Sequence, residues 1–193
     1  GLGVAGPKLR VIPHPVFASD PERRDDGRTV LALGVIRPYK QLDHAAEAVR
    51  RVTGARLLVA GDPTCPLPPL DGAELRLGYL TRAEIERALG DATVAVFPYR
   101  AELDQSGALL QALGAGVPAV VYDVGGLGEV VSRYGAGRVV PPGDVDALAA
   151  ALAELLDDPE ALEAARAGAR RARAELTWDA SAAAHLALYG ELL

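Results

Sequence analysis

Residues 94–131 read VAVFPYRAELDQSGALLQALGAGVPAVVYDVGGLGEVV. An apolar strand over 93–97 runs into a polar loop. Ser106-Gly107 then opens a helix over 106–115, and Gly116-Val117-Pro118 hands the chain to a second apolar strand over 119–122. That strand leads to Gly125-Gly126 and a short helix over 127–133. A helix that opens on Ser-Gly at the carboxyl edge of a sheet has backbone N–H groups without partners inside the helix. Such groups suit a phosphate.

The same alternation extends in both directions. Upstream, residues 9–16 read as a short extended segment and 18–28 as a charged loop. A strand over 29–36 follows, then a helix over 41–52 with apolar or small residues at helical spacing, and a strand over 56–60. The proline-rich stretch 65–71 is a loop, and 74–77 a short strand. Thr81 with Glu84 makes a capping box for a helix running to about residue 89. Downstream, a last strand over 138–140 leads through Pro141-Pro142-Gly143-Asp144 into helices over 145–156, 159–176 and 180–193. Continuous apolar strands such as VLALGVI and ATVAVF suit a sheet buried on both faces. The pattern predicts an α/β fold: a single Rossmann-like domain with a doubly wound parallel sheet and a helical C-terminal tail. Ligands of such folds sit outside the carboxyl ends of the strands.

Composition narrows the function. Half of the 193 residues are hydrophobic, enough for a sizeable core, and the formal net charge of −6 argues against nonspecific binding to nucleic acid or anionic membranes. A single cysteine, Cys65, excludes an intramolecular disulfide framework and a cysteine-based zinc site; it fits a reducing, cytoplasmic setting. No run approaches the roughly 20 apolar residues of a membrane span. No signal peptide is visible, and the chain holds no methionine, even at position 1, so a processed or excised piece is expected.

Three groups of residues carry candidate chemistry. Gly34, Arg37 and Lys40 follow the first strand in LGVIRPYKQ. Arg37 offers a planar fork and Lys40 a compact charge, which together can offset a diphosphate. The plain alternative is a pair of solvated charges, although a cation at a helix start opposes the helix dipole. Glu102, Asp104, Gln105, Ser106 and Gly107 precede the central helix. Ser106 is a natural N-cap, Gly107 lets a ligand approach the backbone, and either acid can accept from sugar hydroxyls or simply complement the helix. Gln111, further along, is a partner for a ribose hydroxyl or an ordinary surface residue. Gly125, Gly126 and Glu129 form the third group. The glycines permit positive φ, and Glu129 serves a ligand or the helix N-terminus. His14, His44 and His185 share no metal-ligand spacing, and no P-loop, G-x-S-x-G elbow or G-x-G-x-x-G turn is present. Arg166, Arg170, Arg171 and Arg173 read as a solvated helix face, paired with Glu160, Glu163 and Glu175.

These pieces in their order, VIPHPV, LGVIRPYKQLD, LLVAGD, LRLGYLTRAEIERAL, ATVAVFPYRAE, GALLQALGAGVPAVVYDVGGLGEVV and TWDASAAAHLALYGELL, resemble the C-terminal, donor-binding domain of the family 4 (group 1) retaining glycosyltransferases. The resemblance covers nearly the whole chain and implies half of a GT-B architecture. Residues 1–193 would bind a nucleoside-diphosphate sugar, and 177–193 would form a terminal helix packing toward an N-terminal acceptor domain that precedes residue 1. This chain alone would then turn over little or no substrate. Any membrane contact would pass through that other domain.

The resemblance also assigns roles. Arg37 and Lys40 grip the diphosphate, although many members place the arginine directly after the glycine, where this chain has Val35. Of the family's Glu-x7-Glu pair, the first glutamate, which contacts the sugar, maps to Glu102 or Asp104. The second, on the ribose, maps to Gln111, which bonds without charge. The backbone at Gly78, Tyr79 and Leu80 meets the base. No metal or cofactor is implied beyond the sugar-nucleotide donor. Two other readings remain at this stage: a nucleotide-sugar-binding module without catalysis, and a GT-B-like epimerase.

Overall fold

The apolar runs become the strands of one sheet. A computed structural model describes residues 10–100 and 105–191. In it β1 (Thr29–Leu33), β2 (Arg56–Gly61), β3 (Glu74–Leu77), β4 (Val94–Phe97), β5 (Ala119–Tyr122) and β6 (Gly137–Val140) lie in the order β3-β2-β1-β4-β5-β6, every neighbouring pair parallel. Register follows from matched apolar runs, with Leu31 opposite Leu58 and Val96 opposite Val120. β1, β4 and β5 are buried along their whole length, as strands covered on both faces must be, whereas β3 is the half-exposed edge.

The helices are α1 (Leu42–Arg50), α2 (Arg82–Asp91), α3 (Gly107–Gly114), α4 (Gly125–Tyr134), α5 (Val145–Asp157), α6 (Pro159–Glu175) and α7 (Trp178–Gly190). α1 packs beside α5 on one face, and α3, α4 and α6 pack together on the other. The strand order reverses between β1 and β4, so right-handed crossovers send the helices before and after that point to opposite faces. α2 carries the capping box in full: the Thr81 hydroxyl accepts from Glu84 N–H, and the Glu84 carboxylate accepts from Thr81 N–H. No helix of the described residues is long and apolar enough to cross a membrane.

The differences from the sequence reading have local causes. β1 stops at Leu33 rather than 36, because Gly34 turns the chain at φ +95, and Ile36 makes only an isolated bridge to Pro63. Pro38, with its fixed φ, opens a 3₁₀ turn, Pro38–Lys40, that the sequence reading missed. α4 starts on the Gly-Gly pair itself, at Gly125 (φ +49), instead of at 127. α7 starts at Trp178 under a Thr177 cap instead of at 180. The arginines of α6 are only in part a solvated face paired along the helix. Only Arg170 takes an expected partner, Glu163; Arg166 reaches Asp25, Arg171 donates to the Tyr134 carbonyl, and Arg173 grips Asp20 and the Ser19 carbonyl. Long side chains on a packed helix reach the segments beside it, and here they fasten residues 19–25 to the domain.

Candidate functional site

The carboxyl edge of the sheet is shaped by two glycines. Gly34 N–H donates to the Ala60 carbonyl at 2.8 Å, and Gly61 (φ +155) lies so close to Gly34 that a Cβ there would fall 2.1 Å from the Gly34 carbonyl oxygen. The tips of β1 and β2 therefore meet, and the 3₁₀ turn folds back over them. The Arg100 amide donates to the Tyr39 carbonyl, tying that turn to the end of β4.

The turn drives Lys40 inward. Its side chain is 6% exposed, its Nζ donates to the Leu33 carbonyl at 2.7 Å, and it lies 5.3 Å from the centre of the Tyr99 ring. An ammonium has three donors, and one contact to an aromatic face plus one carbonyl leaves it under-satisfied. Burial, with the nearby Arg37 charge adding to it, holds the Lys40 amine down at about 8 from its usual 10.5. A Cβ on Gly34 would lie 3.1 Å from Nζ and 3.2 Å from the Ala108 Cβ, so the missing side chain keeps Lys40 beside the start of α3.

α3 opens as its sequence requires. Ser106 is extended, buried and capping: Oγ accepts from the Leu109 amide at 3.2 Å and donates to the Tyr99 hydroxyl at 3.4 Å. Such a cap stabilises a helix by about 1 kcal/mol. The Leu110 amide bonds the Ser106 carbonyl, which leaves the amides of Gly107 and Ala108 without partners among the described residues. Burial pushes the Tyr99 hydroxyl well above its ordinary range despite the Ser106 contact, so it stays protonated.

Lys40 and the α3 amides face one cavity of about 410 Å³ at the strand-order reversal, where α/β folds place ligands. Its volume suits a small-molecule site. Of the residues singled out in the sequence, Gly34, Lys40, Tyr79, Leu80, Gln105, Ser106, Gly107 and Gln111 line it. Gly126 and Glu129 line a second cavity of about 300 Å³, which shares Gln105 and Ser106 with the first and is bounded by His14 and Arg133. Arg37, Gly78 and Gly125 line neither: Arg37 is exposed at the mouth of the 3₁₀ turn, and its side chain has no partner among the described residues. Glu102 and Asp104 lie outside the described residues. Among those described, no three His, Cys, Asp or Glu side chains gather as metal ligands.

Residues that sequence reasoning passed over also line the first cavity: Gly61 and Asp62 after β2, Tyr39 and Tyr99, Ile85 of α2, and Phe17. The strand-end rule that picks out Gly34 applies equally to Gly61-Asp62, directly after the strand expected over 56–60. Tyr99 gave no sequence signal of its own.

The chain belongs to the glycosyl transferases group 1 family, whose pattern matches residues 27–158. It is 34% identical over 173 residues to the glycogen synthase of Mycobacterium tuberculosis, a match covering 83% of this chain and 42% of that protein. It is 31% identical over 192 residues to an exopolysaccharide phosphotransferase of Streptomyces coelicolor, covering 91% of this chain and 20% of that protein. The solved sucrose-phosphate synthase from Thermosynechococcus elongatus superposes with a TM-score of 0.72 at 25% identity, over 86% of this chain and 46% of the other. The chain thus spans less than half the length of these relatives. Its fold is that of the C-terminal, Rossmann-like domain of GT-B glycosyltransferases.

Proposed function

We propose that this chain is the donor-binding half of a family 4 retaining glycosyltransferase that takes a nucleoside-diphosphate sugar. The observation that carries the reading is the convergence of Lys40 Nζ and the α3 start on one cavity at the reversal of strand order. The diphosphate would sit between Lys40 and the amides of Gly107 and Ala108, and Arg37 at the rim would add a second positive charge. Gln111 would bond the ribose, and the base would lie toward Tyr79 and Leu80. The sugar would point past Ser106 into the second cavity, where Gly126 and Glu129 await it. The acidic contact to the sugar is assigned to Glu102 or Asp104. An acceptor held by another domain would complete the site.

Glycosyl transfer breaks the bond between the anomeric carbon and the phosphate oxygen, and the electron pair leaves with the diphosphate. Fixed cations and helix amides aimed at that oxygen stabilise the charge as it develops. Lys40 and the α3 amides do so without reorganising, because the Leu33 carbonyl, the Tyr99 ring and the Ser106 cap already hold them in place.

The titration of Lys40 tests this reading. The free chain holds Lys40 near 8, and a bound diphosphate stabilises the charged form, so binding above that pH must take up a proton. Lys40 is flanked by Arg37, Tyr39 and Tyr99. Titration calorimetry with a nucleoside diphosphate should show affinity weakening by up to about tenfold per pH unit above pH 8, because one proton is linked to binding. A flat profile from pH 8 to pH 10 would remove Lys40 from the site.

A further inference from the structure

The wall of the first cavity changes character along the sheet edge. At β1 and β4 it is cationic and rich in amides. One and two strands away, each step about 5 Å, it is formed by Asp62 after β2 and by Tyr79, Leu80 and Ile85 beyond β3. Among the described lining residues only Lys40 and Asp62 carry a charge. Asp62 is half-buried, and its carboxylate has no hydrogen-bond or ion-pair partner among the described residues, Lys40 included.

An unpaired carboxylate inside an anion-binding cavity is unfavourable unless it faces a donor on the ligand. It repels the diphosphate toward Lys40 and must therefore meet the nucleoside. Gln111 approaches from α3, on the phosphate side, whereas Asp62 is flanked by the apolar surfaces of Tyr79, Leu80 and Ile85, which suit a flat base. A carboxylate only accepts. Guanine offers N1–H and an exocyclic N2–H side by side, one for each carboxylate oxygen. Uracil offers a single N3–H between two carbonyl oxygens, each of which the carboxylate repels.

We infer that Asp62 reads the base, and that the donor is a guanosine-diphosphate sugar rather than a uridine-diphosphate sugar. The inference rests on the donor-cavity reading above. Charge-assisted, two-point recognition is the kind that separates bases by about tenfold or more. The test is calorimetric titration of this chain with GDP, UDP and inorganic pyrophosphate, repeated on Asp62→Asn and Asp62→Ala. The unaltered chain should bind GDP about tenfold or more tightly than UDP. Asp62→Asn exchanges one acceptor for a donor and so complements the N3–H and O4 edge of uracil; it should weaken GDP, strengthen UDP and invert the order. Asp62→Ala should level the two nucleotides. Pyrophosphate, which Asp62 only repels, should bind both variants at least as tightly as it binds the unaltered chain. UDP binding as tightly as GDP, or an equal loss of both nucleotides in the variants, as a ribose contact would give, overturns the assignment and leaves the donor cavity standing. Failure of the folded chain to bind pyrophosphate or either nucleotide overturns the donor reading and this inference with it.

Discussion

Lys40→Met should fold, lose nucleoside-diphosphate binding by about tenfold or more, and abolish a rise in stability at alkaline pH. The binding loss follows from deleting a charge-assisted contact of about 1.5–3 kcal/mol. The stability signature follows from linkage. The folded chain holds Lys40 at about 8, below its value of 10.5 in the unfolded chain. Between those values the unfolded state binds more protons, so stability rises with pH across that window. Below pH 8 the full penalty of burying the ammonium is present, on the order of 3 kcal/mol for such a shift. Denaturant melts of both proteins at pH 7.5, 9 and 10.5 measure the difference. The unaltered chain should gain on Lys40→Met as pH increases; parallel curves would show that Lys40 titrates normally. The free protein thus carries a strained cation, and the expected relief is an anion.

Gly61→Ala should severely damage the carboxyl edge of the sheet, costing about 3 kcal/mol or more. Its Cβ would lie 2.1 Å from the Gly34 carbonyl oxygen and 2.7 Å from the carbonyl carbon, both backbone, and its φ of +155 strains any other residue. Relief would require parting the tips of β1 and β2, breaking the bonds from Gly34 N–H to Ala60 and from Gly78 N–H to the Gly61 carbonyl. Gly107→Ala is the control, since the nearest atom to its Cβ, Phe17 Cε2, is 3.9 Å away. Thermal melts should show a large fall for Gly61→Ala and little change for Gly107→Ala. Equal melting temperatures would mean that the tips are not in contact.

The strands and most helices were legible because each is a local apolar pattern, and several helices carry their own cap: Thr81 with Glu84, Ser106 and Asp144 act as N-caps. The site was legible where it is built by strand ends and helix starts, as at Gly34, Ser106 and Gly107. It was less so where tertiary packing decides. Nothing in PYK states that the lysine turns inward while Arg37 stays outside; Pro38 and the return of the chain over β1 decide that. Asp62 and Tyr99 were overlooked for the same reason, since their importance comes from neighbours distant in sequence. The arginines of α6 were misread because partners at helical spacing were weighed and the segment 19–25 was not.

The most direct measurement is a crystal structure of this chain with a bound nucleoside diphosphate. The account predicts phosphate oxygens within about 3 Å of Lys40 Nζ and of the Gly107 amide, with the base over the ends of β2 and β3. A diphosphate lodged elsewhere, with Lys40 still bonded only to the Leu33 carbonyl, would contradict it.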